Sequence, residues 1–260
     1  MLLPQAKYKT ADIVAQIDRA LDRGEPYVLN RAADGEAIVL AMAAGIPIIG
    51  RTKEELWDWY RISLDNAAAV AGIVAGLRQC DAFGIPTLEP WADRWDMTPL
   101  LTKVFRAWGI DLSGMSLTHH AIIQFMLMRG EFQRWYGRRI VVVNEKAQEL
   151  AEALRPRMNI VGVVGIQQDE IEEVVERALP YDFEIALLGV GVRKFAIAHQ
   201  LAEQKGCVVL DMGWALNILA DIYPDHSTGR GKKEMAEAKG YALRDWAVAE
   251  WIMREQPEDV

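Results

Sequence analysis

An arginine and two carboxylates, Arg31, Asp34 and Glu36, stand between two apolar runs in YVLNRAADGEAIVLAMAAG, residues 27–45. Two acids one residue apart can offer oxygen ligands to a hard cation such as Mg2+ or Mn2+, which keeps open positions for substrate phosphates. Arg31 beside them can fork onto a phosphate or hold a carboxylate in place. A plainer role suits the same residues, with Asp34 capping a helix and Glu36 favouring its first turn. Both flanks demand burial, so the acids are expected at a strand-to-helix junction. Such junctions turn backbone N–H groups and side chains into a common crevice.

Two further segments carry polar or flexible residues at expected strand ends. In LLGVGVRKFAIAHQLA, Gly189 and Gly191 would let the backbone approach a phosphate at the start of the helix that follows Val192 and Arg193. The full GxGxxG dinucleotide fingerprint is broken, because position 194 is Lys. In VVLDMGWALN, Asp211 ends a strand with Gly213 behind it, where it could bind a ribose hydroxyl, serve as a base or cap a helix. Thr118, His119 and His120 fall at an expected helix start. Adjacent histidines diverge on a helix, so one of them is expected in a structural or substrate-contacting role rather than both on one metal. The clusters WDWYR (57–61) and EPWADRW (89–95) could stack sugars or simply be buried tryptophans. The loop around His226, with Arg230, Lys232 and Lys233, could fold over an anion or stay solvated.

The elements that must position these residues follow from periodicity. Residues 10–23 form a helix with Ile13, Ile17 and Leu21 on one face and Gly24 closing it. A short strand YVLN precedes a second helix ending at Gly45. Residues 52–70 are expected as a helix, 70–77 as a buried strand or a continuing helix, and 86–99 as a loop. Helices are expected over 100–108 and 118–128. After Gly137 the pattern alternates: strand RRIVVVN, helix 145–154, strand NIVGVVGI, helix 169–178, strand FEIALLGVGV, helix 194–205 and strand GCVVLDMG. Strand and helix at this spacing imply an α/β, Rossmann-like fold: a mostly parallel sheet with helices on both faces. One α/β domain over 1–260 is expected, with an acidic-motif half (1–136), a Rossmann-like half (137–222) and a loop plus C-terminal helix (223–260). Trp246 and Trp251 of that helix would pack on the body or on a partner subunit, which would make a homodimer.

Composition narrows the classes. The 29 Lys+Arg against 37 Asp+Glu leave a net charge of -8, which argues against a nucleic-acid partner but not against one local anion site. The two cysteines, Cys80 and Cys207, form no CxxC and are expected reduced in packed regions. Apolar runs such as AIVLAMAAGIPIIG are too short and glycine-broken to span a bilayer. The N-terminal stretch lacks a basic start followed by a long apolar core, so no signal peptide and a cytoplasmic location are expected.

Three segments together resemble one family. Arg31-Ala32-Ala33-Asp34-Gly35-Glu36 resembles the RxGDGE signature of glycosyltransferases with the GT-D fold, residues 181–191 resemble its yD-lvLlg-G strand and glycine turn, and 209–214 resemble its closing aiDiGh strand. Order and rough spacing agree over most of residues 10–222. The resemblance implies a hexosyltransferase whose Asp34 and Glu36 bind Mn2+ or Mg2+ as a cofactor. The metal would hold the diphosphate of a nucleotide sugar donor, a UDP-sugar, and act as a Lewis acid on it. It further implies Asp34, Glu36 and Asp211 as catalytic residues. Nucleotide-sugar contacts would come from Arg31, Gly35, Thr118, His119, Gly189, Gly191, Val192, Arg193 and Gly213. The acceptor would be a glycan, a glycoprotein or a small molecule. Two positions depart from the pattern: Ala33 replaces the glycine before DGE, and Trp214 replaces the histidine after Asp-x-Gly. Two other readings stand beside it. One is a nucleotide-binding module without catalysis. The other is an NAD(P)-dependent oxidoreductase, kept open by Asp211 lying 20 residues past Gly191.

Overall fold

Seven apolar segments become strands of one parallel sheet: β1 (Tyr27–Arg31), β2 (Ala82–Ile85), β3 (Ser116–His119), β4 (Ile140–Asn144), β5 (Ile160–Gly165), β6 (Ile185–Gly189) and β7 (Val208–Asp211). The structure is a computed structural model and describes residues 7–32, 34–48, 66–85, 97–167 and 171–220, with the Asp34 side chain outside that description. The strand order is β3-β2-β1-β7-β6-β4-β5, so strands from both halves of the chain share the sheet. The expected α/β fold with a parallel sheet is borne out. The expectations for 52–65, 57–61, 89–95, His226 and the C-terminal helix lie outside the described residues.

The inner strands β4, β6 and β7 are buried on both faces, which is why they read as unbroken Val/Ile/Leu runs rather than as alternation. Val28, Val141, Val143, Ala186, Leu188 and Val209 point to one face, and Leu29, Val142, Leu187 and Leu210 to the other. The first face is covered by α2 (Asp34–Ala43), α3 (Ala67–Leu77), α4 (Met97–Ala107), α7 (Glu172–Ala178) and α8 (Lys194–Lys205). The second is covered by α1 (Thr10–Arg23), α5 (Ile122–Met128), α6 (Ala147–Leu154) and α9 (Ala215–Ala220). No described helix is long and apolar enough to cross a membrane. Cys80 and Cys207 are buried free thiols, each pushed up to about 12 by burial.

One open expectation is settled and two elements depart from the sequence reading. Residues 67–77 are a helix, the second of the two alternatives for 70–77: Asn66 caps it, its side-chain oxygen accepting from the Ala69 N–H at 3.0 Å. An all-round apolar run carries no period to separate the two, and the cap decides. Residues 116–119 form edge strand β3 instead of the first turn of a helix, because Thr118 and His119 pair with Gly84 and Ile85 of β2. The helix starts only at Ile122. Strand β2, AFGI, is too short to carry a pattern of its own and is recognised only by its partners on both sides.

Helix α8 is buried on most of its circumference. It lies against α3 at two glycines. A Cβ on Gly76 would fall 2.0 Å from the Phe195 carbonyl oxygen, whereas one on Gly72 would meet the Ala196 Cβ at an ordinary 3.5 Å. The two helices therefore touch backbone to backbone at Gly76. Gly76→Ala is expected to lower stability by roughly 1–3 kcal/mol through overpacking. Gly72→Ala, gaining helix propensity of up to about 1 kcal/mol, should be neutral or stabilising. Urea denaturation of both variants checks this, and equal midpoints would sink the close-contact account.

Candidate functional site

The register of β1 against β7 sets the site. Leu29 pairs with Leu210, so the next residues of both strands emerge together at the carboxyl edge of the sheet. From there α2 leaves on one face and α9 on the other, which opens a crevice between the two strands. Arg31 ends β1, Asp211 ends β7, Glu36 lies in the first turn of α2 and Lys194 begins α8.

These four side chains form one ionic network. The Lys194 Nζ lies 2.8 Å from Glu36 Oε1 and 2.8 Å from Asp211 Oδ2, and Arg31 Nε donates to Asp211 Oδ2 at 3.2 Å. Their side chains are 5% (Lys194), 7% (Glu36), 1% (Asp211) and 12% (Arg31) exposed, so Arg31 alone has appreciable contact with solvent. Burial pushes the Asp211 carboxyl up, but the Arg31 and Lys194 charges outweigh it and hold the group below its usual range. Burial pushes the Lys194 ammonium down, but Asp211 and Glu36 outweigh that and raise it. Asp211 and Lys194 are thus a charged pair at neutral pH. The buried Asp211 Oδ1 has no hydrogen-bond partner among the described residues.

Arg31 is held as a fork. Its Nη1 donates to the Gln124 Oε1 at 3.3 Å and to the His120 carbonyl at 3.4 Å. Its Nη2 passes over Gly213, where a Cβ would stand 2.7 Å from that nitrogen. Gly213 has φ 50°, a left-handed conformation that also favours glycine. Gly213 therefore serves the guanidinium by leaving it room. Trp214 follows with 42% of its surface exposed.

The other expected contact residues are placed less favourably for a ligand. The Thr118 hydroxyl is buried and donates to the Tyr8 carbonyl at 2.9 Å. His119 Nδ1 accepts from the Ala121 N–H at 3.0 Å, and its ring stacks between His120 and Phe125 at 4.4 and 5.3 Å. Burial, with the neighbouring His119 and Arg31, pushes the His120 imidazole down to about 3, so it stays neutral. Gly189 is filled from the side by Asn144, which donates to the Gly189 carbonyl at 2.6 Å. Val192 is in the core. Arg193 is 2% exposed, donating to the Val190 and Gln167 carbonyls near Glu145. Gly191 opens a short 3-10 turn, Gly191–Arg193, that delivers Lys194 to the crevice. Gly35 is buried in the first turn of α2 beside Glu36. The glycine turn thus works as a packed strand-to-helix bend whose polar product is Lys194. That residue was visible in the sequence only as the one that broke a fingerprint.

A divalent cation can be weighed against this donor set. No group of three or more His, Cys, Asp and Glu that could hold a metal occurs among the described residues. Glu36 and Asp211 both turn a carboxylate oxygen to Lys194, and Asp211 keeps one oxygen without a hydrogen-bond partner among the described residues. Hard oxygens in this small number fit Mn2+ or Mg2+ held together with substrate phosphates, and Asp34 begins the helix that carries Glu36. Asp211 is less suited to a ribose hydroxyl, being 1% exposed and bound by two cations.

No curated protein and no solved structure matches the chain. A family model does, that of the GT-D fold-like domain, over residues 8–219, a span that contains all seven strands and the whole Arg31–Asp211–Lys194–Glu36 network. The chain therefore belongs to the GT-D-like family, with a glycosyltransferase-type fold.

Proposed function

We propose that the protein is a glycosyltransferase that moves a hexosyl group from a nucleoside-diphosphate sugar, with UDP-sugar as donor, to a hydroxyl-bearing acceptor. The observation that carries this reading is the buried network of two bases and two acids at the carboxyl edge of β1 and β7, in which the Arg31 guanidinium alone reaches solvent. Ligands of open α/β sheets bind at that edge. The Arg31 fork faces the crevice and suits the diphosphate. Asp34 and Glu36 would hold Mn2+ or Mg2+, which supplies positive charge to the leaving diphosphate. Asp211 acts in this reading as a positioning residue. A carboxylate held below its usual range by two cations is a poor proton acceptor, and its work is to aim Arg31 and Lys194. Trp214, exposed and three residues past Asp211, would offer an aromatic face to a base or a sugar ring.

The test is calorimetric titration of UDP-glucose and of UDP, with and without Mn2+, into wild type and Asp34→Ala. Binding that needs Mn2+ and is lost in the variant supports the reading. Tight binding that ignores a chelator would favour a nucleotide-binding module instead, and failure of a panel of nucleotide sugars would remove the donor class.

A further inference from the structure

Lys194 occupies the place where a cation shared by Glu36 and Asp211 would sit. Its Nζ is 2.8 Å from an oxygen of each, and the Phe195 ring lies 5.3 Å from it on another side. The side chain is 5% exposed and springs from the first residue of α8, which packs backbone to backbone against α3. It has little freedom to move aside. Lys194 and Arg31 cancel Glu36 and Asp211, so these four side chains sum to no net charge. A divalent ion entering alone would meet an ammonium within a few ångströms in a poorly screened crevice, where unit charges about 4 Å apart interact by several kcal/mol at an effective dielectric near 20. A diphosphate changes the sum, because it brings its own negative charge to the exposed side of Arg31.

We propose that Lys194 is a resident counter-cation that keeps a free divalent ion off the Glu36 carboxylate, which it holds together with Asp211, so that metal enters only together with the diphosphate. The proposal rests on the nucleotide-sugar reading for its second half, but its first half concerns this chain and the ion alone. It also makes the two basic residues unequal. Arg31 touches the ligand, whereas Lys194 sets when the metal can bind.

Titration of Mn2+ followed by the electron spin resonance signal of the free ion tests both halves without any turnover. The full-length wild type, Lys194→Met, Lys194→Gln and Lys194→Met/Glu36→Gln are each titrated with Mn2+ alone, and wild type again with UDP present. Lys194→Met and Lys194→Gln should bind Mn2+ alone at least about tenfold more tightly than wild type, a modest share of the repulsion removed. The double variant should lose that gain, and UDP should confer tight Mn2+ binding on wild type. Wild type binding Mn2+ alone as tightly as the single variants overturns the proposal. So does the absence of any gain in a Lys194 variant that circular dichroism shows to be folded. If both single variants fail to fold, wild type decides: tight one-to-one Mn2+ binding without UDP overturns the proposal, and tight binding only with UDP supports it. The donor reading fails separately, if UDP does not bind wild type with or without Mn2+ while the Lys194 variants still gain affinity for the ion. That result would also overturn the coupled entry.

Discussion

Asp211→Ala is expected to destabilise the protein by about 3–5 kcal/mol, the cost of removing one partner from a buried ionic group. The aspartate is 1% exposed and its Oδ2 takes both Lys194 Nζ at 2.8 Å and Arg31 Nε at 3.2 Å. Without it, Arg31 and Lys194 lose the carboxylate they share, and Glu36 stays paired with Lys194. Urea denaturation measures the loss, and a change under about 1 kcal/mol, the scale of an exposed pair, would show that the network is solvated. The pH profile gives a second reading. Asp211 is held below its usual 3.8, so its contribution is present above that value and is lost as pH falls through the lowered folded value. Lys194 is raised above 10.5, so its contribution is present below that value and is lost as pH rises through the raised folded value. Wild type should therefore hold the full contribution of the network between these limits. Asp211→Ala removes one of the two charges that raise Lys194, so its basic limb should be smaller and end at lower pH than that of wild type. His120, depressed from 6.5 to about 3, adds an acid limb of opposite origin: the unfolded chain takes its proton first, and stability falls from about pH 6.5 downward.

The sheet was legible because parallel strands buried on both faces leave unbroken apolar runs between amphipathic helices, as in IVVVN and IALLG. Where that signal was short it failed. AFGI and SLTH are strands of four residues whose identity comes from β1, β2 and β3 lying side by side, a fact no local pattern contains. The segment 67–77 stayed open between strand and helix for the opposite reason, being apolar on every side. The candidate site divides in the same way. Arg31, Glu36 and Asp211 were legible because charged residues at the ends of buried strands have few other places to go. Lys194 was missed because it lies 158 positions after Glu36, and only the fold brings its ammonium to that carboxylate. The glycine turn drew attention as a phosphate cradle, yet Asn144 and Val192 fill its surroundings. A signal did exist for Lys194: a lysine at the first turn after a strand end, ahead of a helix with almost no other charge until Glu203.

Arg31→Lys and Gly213→Ala should weaken UDP binding alike, although one changes the ligand contact and the other only its surroundings. A lysine keeps the charge but cannot donate at once to Asp211, Gln124 and a phosphate as the planar guanidinium can. Losing one charged hydrogen bond is worth about 1.5–3 kcal/mol, or roughly tenfold to a hundredfold in affinity. An alanine at 213 would put a methyl group 2.7 Å from Arg31 Nη2. The guanidinium is the movable partner, but it is tied to Asp211 and Gln124, so yielding to the methyl means turning the fork away from the crevice. The left-handed backbone at φ 50° adds a folding cost of order 1–2 kcal/mol, which a stability measurement separates from the loss of binding. Calorimetry of UDP in the presence of Mn2+ on both folded variants is the check. If Gly213→Ala bound UDP as wild type does while Arg31→Lys did not, the glycine would be needed only for its turn. If neither variant lost affinity, the diphosphate would not lie at Arg31, and the crevice between β1 and β7 would lose its role as the donor site.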